Sequence, residues 1–365
     1  MAIGPDARTA SELDVIRGDY ESSLSWRVTR PLRALGRGAG VLGLRRRTGH
    51  EPPLPPPNLA NGRYDTWLRA IAGRQLDRLD ARCADGGAER LALFRELDDD
   101  VWALLLTQEY EGWPNIRALL PAMPHPALQE LWNGASGARL AVESTAFYRR
   151  LRERVDATSA QPLAEARVLD FGCGWGRLTR YLARDVAPGR LYGCDPVASI
   201  LDACRDTGVP AVLAQSAFVP DRLPFDERFD VAFAFSVFTH LSETAHERCL
   251  AALHAGLVPG GVLVVTIRPP EYLRFCADLH PLLAALGPDP AARLEEPRYL
   301  FAPHAAEPSH PQYGGGAMTY GETVITLAYV RERWAAGFEL LHADLLLGDL
   351  FQVVLTLRRA DPPDD

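Results

Sequence analysis

The sequence predicts an α/β fold, a parallel sheet flanked by helices with an all-helical segment ahead of it, and three observations carry that expectation. From Arg167 onward short apolar or β-branched runs alternate with helical patterns, the texture of strand–helix units lying side by side in a parallel sheet. Between Asn58 and Val155 apolar residues instead recur every three to four positions, as one face of a helix requires. At the first strand-to-helix junction an acid precedes three glycines at alternate positions, in Asp170-Phe171-Gly172-Cys173-Gly174-Trp175-Gly176.

Taken in order, the chain begins with a basic stretch. Trp26 to Arg47 holds seven arginines and no acid, and Pro52-Pro53-Leu54-Pro55-Pro56-Pro57 follows, a run that must be extended and semi-rigid. Residues 1–57 therefore read as an arm and linker, either solvated or attached to an acidic partner or a membrane surface. Residues 58–160 form the helical subdomain, with Trp67, Ile71, Leu76 and Leu79 on one face and Leu91, Phe94, Leu97, Val101 and Leu105 on the next. Gly86-Gly87, Pro114, Pro121, Pro124 and Pro126 break it into short pieces.

Within 161–360, buried strands are expected at 168–171, 191–194, 211–214, 231–235 and 262–267, with helices near 177–185, 197–206 and 243–257. A Pro- and aromatic-rich insertion occupies about 268–326. A helix at 327–336 comes next, and the runs 338–346 and 350–358 are close enough to pair as a hairpin.

Composition narrows the function. The 365 residues are 47% hydrophobic, ample for a sizeable core, and the net charge of −8 excludes a general polyanion binder, so no nucleic-acid partner is expected. Every basic residue is arginine, which weakens any single arginine as a sign of bidentate recognition. No run approaches the roughly 18 apolar residues of a membrane span, and Met1 to Ala10 lacks a basic-then-apolar signal. A cytoplasmic location is the expectation. Six scattered cysteines with no C-x-x-C pair read as buried thiols. His304, Glu307 and His310 have the chemistry of metal ligands, but their Pro-rich surroundings offer nothing to hold a geometry, so no metal is expected.

The glycine turn carries the chemistry. Glycines there let the chain turn with positive φ and let a ligand lie against bare peptide near a helix N-terminus. The dinucleotide fingerprint requires a third small residue where Arg177 stands. Asp195, at the end of the second strand and 19 residues after Gly176, can accept two hydrogen bonds from ribose hydroxyls. A nucleoside without a pyrophosphate cradle is the expected ligand.

These segments resemble the class I S-adenosylmethionine-dependent methyltransferases. Val168-Leu-Asp-Phe-Gly-Cys-Gly-Trp-Gly-Arg is similar to their first motif, and Leu191-Tyr-Gly-Cys-Asp195 to the second strand with its ribose-binding acid. Phe229-Asp-Val-Ala-Phe-Ala-Phe-Ser-Val-Phe-Thr-His-Leu resembles the fourth strand and active-site loop, and Leu257-Val-Pro-Gly-Gly-Val-Leu-Val-Val the turn into the fifth. The resemblance implies a Rossmann-like seven-stranded sheet, mostly parallel with its last strand antiparallel, and S-adenosyl-L-methionine as cofactor. It implies that Gly172, Cys173, Gly174 and Gly176 pass close to the methionyl part, that Asp170 helps hold its ammonium side, and that Asp195 takes the ribose. The family often places an acid after the third strand, where Ala214-Gln215-Ser216-Ala217 stands here. Ser216, Gln215 and the Ala217 backbone are therefore the adenine candidates, and Ser236 is a further cofactor contact at the fourth-strand rim.

For a hydroxyl acceptor, in-line methyl transfer needs alignment and a base. His240, just beyond the fourth strand, is the first candidate, against a structural role at the start of the next helix; His304, His310 and Glu322 in the insertion are the others. With Tyr272, Phe275, Tyr299, Phe301, Tyr313 and Tyr320 beside Gly314-Gly315-Gly316, the insertion reads as a lid over a ring-shaped or saccharide acceptor. Ser25 to Arg37 and Tyr320 to Arg331 resemble segments of proteins that assemble bacterial surface polysaccharides. The expected function is methylation of a small-molecule or glycan acceptor, on oxygen. The alternatives are a protein or nucleic-acid methyltransferase, against which Ser236-Val237-Phe238 replaces a base-clamping motif, and a catalytically silent cofactor-binding module.

Overall fold

The structure is a computed structural model and describes residues 65–84, 86–304, 312–313 and 317–360. The basic arm and Pro-rich linker, together with Glu307, His310 and Gly314 to Gly316, lie outside the described residues.

Seven strands form the central sheet: β1 (Val168–Phe171), β2 (Leu191–Asp195), β3 (Val212–Gln215), β4 (Phe229–Ala234), β5 (Leu257–Ile267), β10 (Phe338–Leu345) and β11 (Val353–Arg359). Two short ladders lie outside it, β6 (Tyr299–Pro303) with β9 (Gly321–Ile325), and β7 (Gln312–Tyr313) with β8 (Ala317–Met318). The sheet order is β10-β11-β5-β4-β1-β2-β3. Only β11, the last in the chain, runs against the others, which is the Rossmann-like arrangement expected. The chain winds one way from β1 to β3 and the other way from β4 on. The crevice outside the carboxyl ends of β1 and β4 is thus the topological switch point, where such sheets bind ligands.

Alternation along the buried strands divides the core. Val262 and Val264 of β5, with Val168, Val231 and Phe233, face one side, whereas Leu263 and Val265, with Leu169, Ala232 and Ala234, face the other. The first face is covered by helices ahead of β1, α1 (Asp65–Arg82), α2 (Asp99–Thr107), α3 (Pro114–Leu119) and α5 (Gly137–Thr158), while α4 (Pro126–Asn133) packs in a separate cluster, its Leu128 and Leu131 with Trp175 and Ile200. The chain also folds tightly against this layer through Arg184, which is 1% exposed and donates to the carbonyls of Phe94 and Leu97. Its remaining bonds reach the Tyr148 hydroxyl and Asp99. The second face is covered by α8 (Glu243–Gly256) and the segment around Trp334.

Three local expectations change. The helix placed at 177–185 is a single turn, α6 (Thr179–Leu182), because the glycine loop continues as turns into it. The third strand is shifted by one residue and is not a buried strand: it is the sheet edge, with Val212 43% exposed. The insertion is not loop alone, since its β6–β9 ladder and the helices α9 (His280–Ala285) and α10 (Pro290–Glu295) close a small core on Leu273, Leu279 and Val324. The remaining helices are α7 (Ala198–Asp206), after β2, and α11 (Leu327–Tyr329).

Candidate active site

The turn after β1 is built on backbone that side chains avoid. Gly172 has φ +76°, and a Cβ there would sit 2.4 Å from Val237 Cγ2. The bare peptide therefore lets the β1 turn pack directly on the segment that follows β4. Gly174, at φ +53°, faces open space: the nearest atom to a Cβ would be Trp132 Cε3, at 4.0 Å. That space is the cradle a ligand needs against bare backbone.

Asp195 closes the turn. It is 5% exposed, its Oδ2 accepts the Gly174 N–H at 3.0 Å and its Oδ1 accepts the Val197 N–H at 3.0 Å. One bond per oxygen leaves lone pairs for two ribose hydroxyls. Burial raises its pKa to about 6, although the two backbone bonds oppose the rise. Asp170, 2% exposed, accepts the Thr179 hydroxyl at 2.6 Å and so ties β1 to α6; burial raises its pKa to about 7. Cys173 is buried in the turn, and its thiol is pushed well up by its bond with Cys204 and by burial, which leaves it unreactive. Ser216 donates its N–H to the Asp195 carbonyl and is nearly buried, while Ala217 is exposed beside it.

Ser236 stands at the end of β4 with φ +60°, a conformation non-glycine residues rarely adopt. Three bonds hold it there: its N–H donates to Thr266 Oγ1 at 2.8 Å, its hydroxyl pairs with Thr239 at 3.1 Å and accepts from Gln352 Nε2 at 3.1 Å. The ends of β4, β5 and β11 thus converge on one strained residue, as happens at functional rims.

The segment after Ser236 is gripped by the insertion. Gly321 and Thr323 donate their N–H groups to the carbonyls of His240 and Thr239, at 2.7 and 3.0 Å. Tyr299 and Thr323 add hydroxyl bonds to the Leu241 carbonyl. The His240 ring stacks on Tyr320 at 5.1 Å, and its Nδ1 lies 2.8 Å from the Gly321 carbonyl. A carbonyl only accepts, so Nδ1 carries the proton and Nε2 keeps its lone pair. Burial lowers the His240 pKa to about 4 against the pull of Glu322, and the ring is neutral at pH 7.

Glu322, an alternative base candidate from the sequence, joins this group, with Oε1 3.8 Å from His240 Nδ1 and 3.6 Å from His304 Nε2. Its Oε2 pairs with Arg268 at 3.0 Å and accepts the Tyr272 hydroxyl at 3.2 Å. Burial raises its pKa, but Arg268, His240 and His304 together bring it down to about 2. Arg268 is the member that sequence reasoning missed. Its Nη2 is 3.3 Å from His240 Nε2 and its guanidinium lies 3.9 Å over the Tyr272 ring. Its signal was available: it is the first charged residue after the apolar run of β5. Among the described residues no cluster is arranged to hold a metal ion, and no helix is long and apolar enough to cross a membrane.

Residues 168–261 match the family model described as a methyltransferase domain. Trans-aconitate 2-methyltransferase of Methylobacterium radiotolerans is 32% identical over 195 residues, which are 48% of this chain and 69% of that protein. The protein of the same name from Variovorax paradoxus is 31% identical over 135 residues, 37% of this chain and 49% of that one. The chain spans about half the length of most of the curated relatives it matches. A solved structure, magnesium protoporphyrin IX methyltransferase from Synechocystis with bound S-adenosylhomocysteine, is 16% identical with a TM-score of 0.40, over 61% of this chain and 86% of that one. The chain belongs to the class I S-adenosylmethionine-dependent methyltransferases, and S-adenosyl-L-methionine is its cofactor. The open face of Gly174 and the spare lone pairs of Asp195 fit that nucleoside.

Proposed function

We propose that this protein methylates a hydroxyl group of a small-molecule or saccharide acceptor, with His240 as the base. The cofactor supplies an electrophilic methyl group on a sulfonium. The chain's own residues do the rest. Gly172, Cys173, Gly174 and Gly176 present bare backbone to the methionyl part, Asp195 orients the ribose, and Ser216 with the Ala217 backbone serves the adenine end. Ser236 lies at the rim where the cofactor meets the acceptor.

The observation that carries the reading is the tautomer of His240. The Gly321 carbonyl fixes the proton on Nδ1, so Nε2 carries the lone pair, which accepts from Arg268 at 3.3 Å. An acceptor hydroxyl has to take the place of that bond before the ring, whose pKa burial holds down at about 4, can receive its proton as the methyl group arrives. Glu322 neutralises Arg268 beside the ring and so leaves the pocket without net charge at this point. The aromatic walls Tyr272 and Tyr320 suit the flat or saccharide acceptor. The resemblance of Ser25 to Arg37 and of Tyr320 to Arg331 to polysaccharide-assembly proteins supports a glycan setting.

A carboxylate acceptor is the second reading, because Arg268 stands at the rim and relatives are named for trans-aconitate. An ionised carboxylate needs no base. Replacement of His240 by Ala separates the two: with a hydroxyl acceptor turnover should fall roughly 10²- to 10⁴-fold, and with a carboxylate acceptor it should stay within a few-fold.

A further inference from the structure

A cavity of about 530 Å³ lies between the helical layer and the glycine turn. Gln108, Arg117 and Gln129 line it from the helical side, and Trp175, Arg177 and Arg180 from the turn and α6. Neither Asp195, Ser216, Ser236 nor His240 touches it, so it is separate from the ribose site and the acceptor rim.

Its charge is one-sided. Three arginines line it, and Glu109, itself exposed, is the one carboxylate in the wall. Arg180 is held by neutral acceptors, the carbonyls of Gly176, Ala122 and Trp175 at 3.0, 2.6 and 3.1 Å, which satisfy its N–H groups without cancelling its charge. Arg117 likewise donates to the Tyr110 carbonyl and stacks over that ring.

Arg177 differs. It is 8% exposed, and among the described residues its guanidinium makes no hydrogen bond or ion pair; its contact is the face of Phe235, 4.7 Å away. Glu143 and Asp349 act on it only through space, beyond ion-pair distance. None of its nitrogens is among the buried atoms left without a partner, so its N–H groups open onto the cavity, where an acceptor can reach them. Two acceptors in the same wall lack donors. The carboxamides of Gln108 and Gln129 use their nitrogens on Thr107 Oγ1 and the Pro124 carbonyl, at 3.1 and 2.8 Å, while both buried oxygens have no partner.

We propose that this cavity is a second ligand site, which takes a small organic carboxylate that also carries hydrogen-bond donors. The carboxylate pairs with Arg177, where a planar fork of N–H groups matches two oxygens, and the donors meet the unpartnered oxygens of Gln108 and Gln129 once those carboxamides turn out of the wall in which they are buried. Trp175 and Arg177 flank Gly176 in the cofactor turn, so the two ligands share one structural element, and any effect of one on the other's affinity is returned by the same factor. The site stands whether or not His240 is the base.

Saturation-transfer NMR on the full chain tests it with three probes: L-malate, its uncharged counterpart 1,2,4-butanetriol, and inorganic phosphate. L-malate should give a saturable signal, butanetriol none, and phosphate should fail to displace malate at equal concentration. Arg177→Met should weaken malate binding at least about tenfold while circular dichroism stays unchanged. Should that variant not fold, Gln129→Glu provides the second test, because a carboxylate in the wall should expel malate. No malate signal, equal signals from malate and butanetriol, or displacement by phosphate would each overturn the proposal, as would undiminished malate binding in a folded variant. S-adenosylhomocysteine binding by the same sample separates this failure from a failure of the cofactor assignment.

Discussion

Removing the Asp195 carboxylate is the sharpest test of how the cofactor is held. In the structure each of its oxygens accepts one backbone N–H, from Gly174 and Val197, and has one lone pair left for a ribose hydroxyl. A hydrogen bond to an ionised group contributes about 1.5 to 3 kcal/mol. Two such bonds would sum to more, but Asp195 is buried and its desolvation is relieved when it is removed, so Asp195→Ala should cost about 2 to 4 kcal/mol of binding. That is roughly a 30- to 700-fold loss of affinity. Calorimetry with S-adenosylhomocysteine reads it directly. Affinity within twofold of wild type, in a variant with native circular dichroism, would refute the ribose assignment. The same carboxylate predicts a pH dependence. With a pKa raised to about 6, Asp195 is ionised above that pH and takes up a proton below it. Cofactor affinity should therefore weaken as pH falls from 7 to 5, and Asp195→Asn should flatten that part of the profile.

Four further outcomes follow from the same geometry. Gly174→Val should abolish cofactor binding in a thermal-shift assay while helical content persists, because the branched side chain enters the open cradle in a backbone region valine avoids. Glu322→Gln should cost about 3 kcal/mol in urea unfolding at pH 7, since Arg268 is left buried without its counter-charge. His246 has its pKa lowered by burial to about 3 and neither ring nitrogen is bonded. The unfolded chain binds that proton below about pH 6.5 and the folded one does not, so its contribution to stability is lost as pH falls from 6.5 toward 3. His246→Phe should accordingly stabilise the protein by about 2 kcal/mol more at pH 5 than at pH 8. Deleting residues 1–57 should leave a folded, cofactor-binding protein, checked by the thermal shift with S-adenosylhomocysteine; an insoluble product would move the boundary.

The glycine turn and Asp195 were legible in the sequence because their constraint is local. Positive φ at Gly172 and Gly174 restricts the residue type wherever the chain goes afterwards. The buried strands were legible for a related reason, since Val262 to Ile267 is apolar on both faces and a sheet covered by helices on both sides requires that. Edge position was not legible: Val212 and Leu213 have the same composition as a central strand, and only the count of neighbours decides their exposure. The grouping of His240, Arg268, His304 and Glu322 joins residues up to 82 positions apart. It depends on β9 docking beside Thr239 to Ser242, a contact made largely by backbone groups, with the hydroxyls of Tyr299 and Thr323 adding bonds to the Leu241 carbonyl, and backbone pairing leaves no side-chain pattern. Thr323-Val324-Ile325 did carry a β-branched signal for β9, hidden by the Pro-rich stretch before it. Arg177 was noticed only as a departure from the dinucleotide spacing; that its contact among the described residues is the face of Phe235, with no hydrogen-bond acceptor, is a property of the folded state.

The central claim is that the chain transfers a methyl group and does not merely bind the cofactor. It is tested most directly by incubating wild type and His240→Ala with methyl-labelled S-adenosyl-L-methionine and fractionated bacterial extract, with phenolic, alcoholic and saccharide fractions scored separately. The account predicts label in a hydroxyl-bearing fraction with the wild type, a roughly 10²- to 10⁴-fold lower rate with His240→Ala, and S-adenosylhomocysteine affinities of the two within a few-fold. Tight S-adenosylhomocysteine binding by the wild type with no label in any fraction would contradict it.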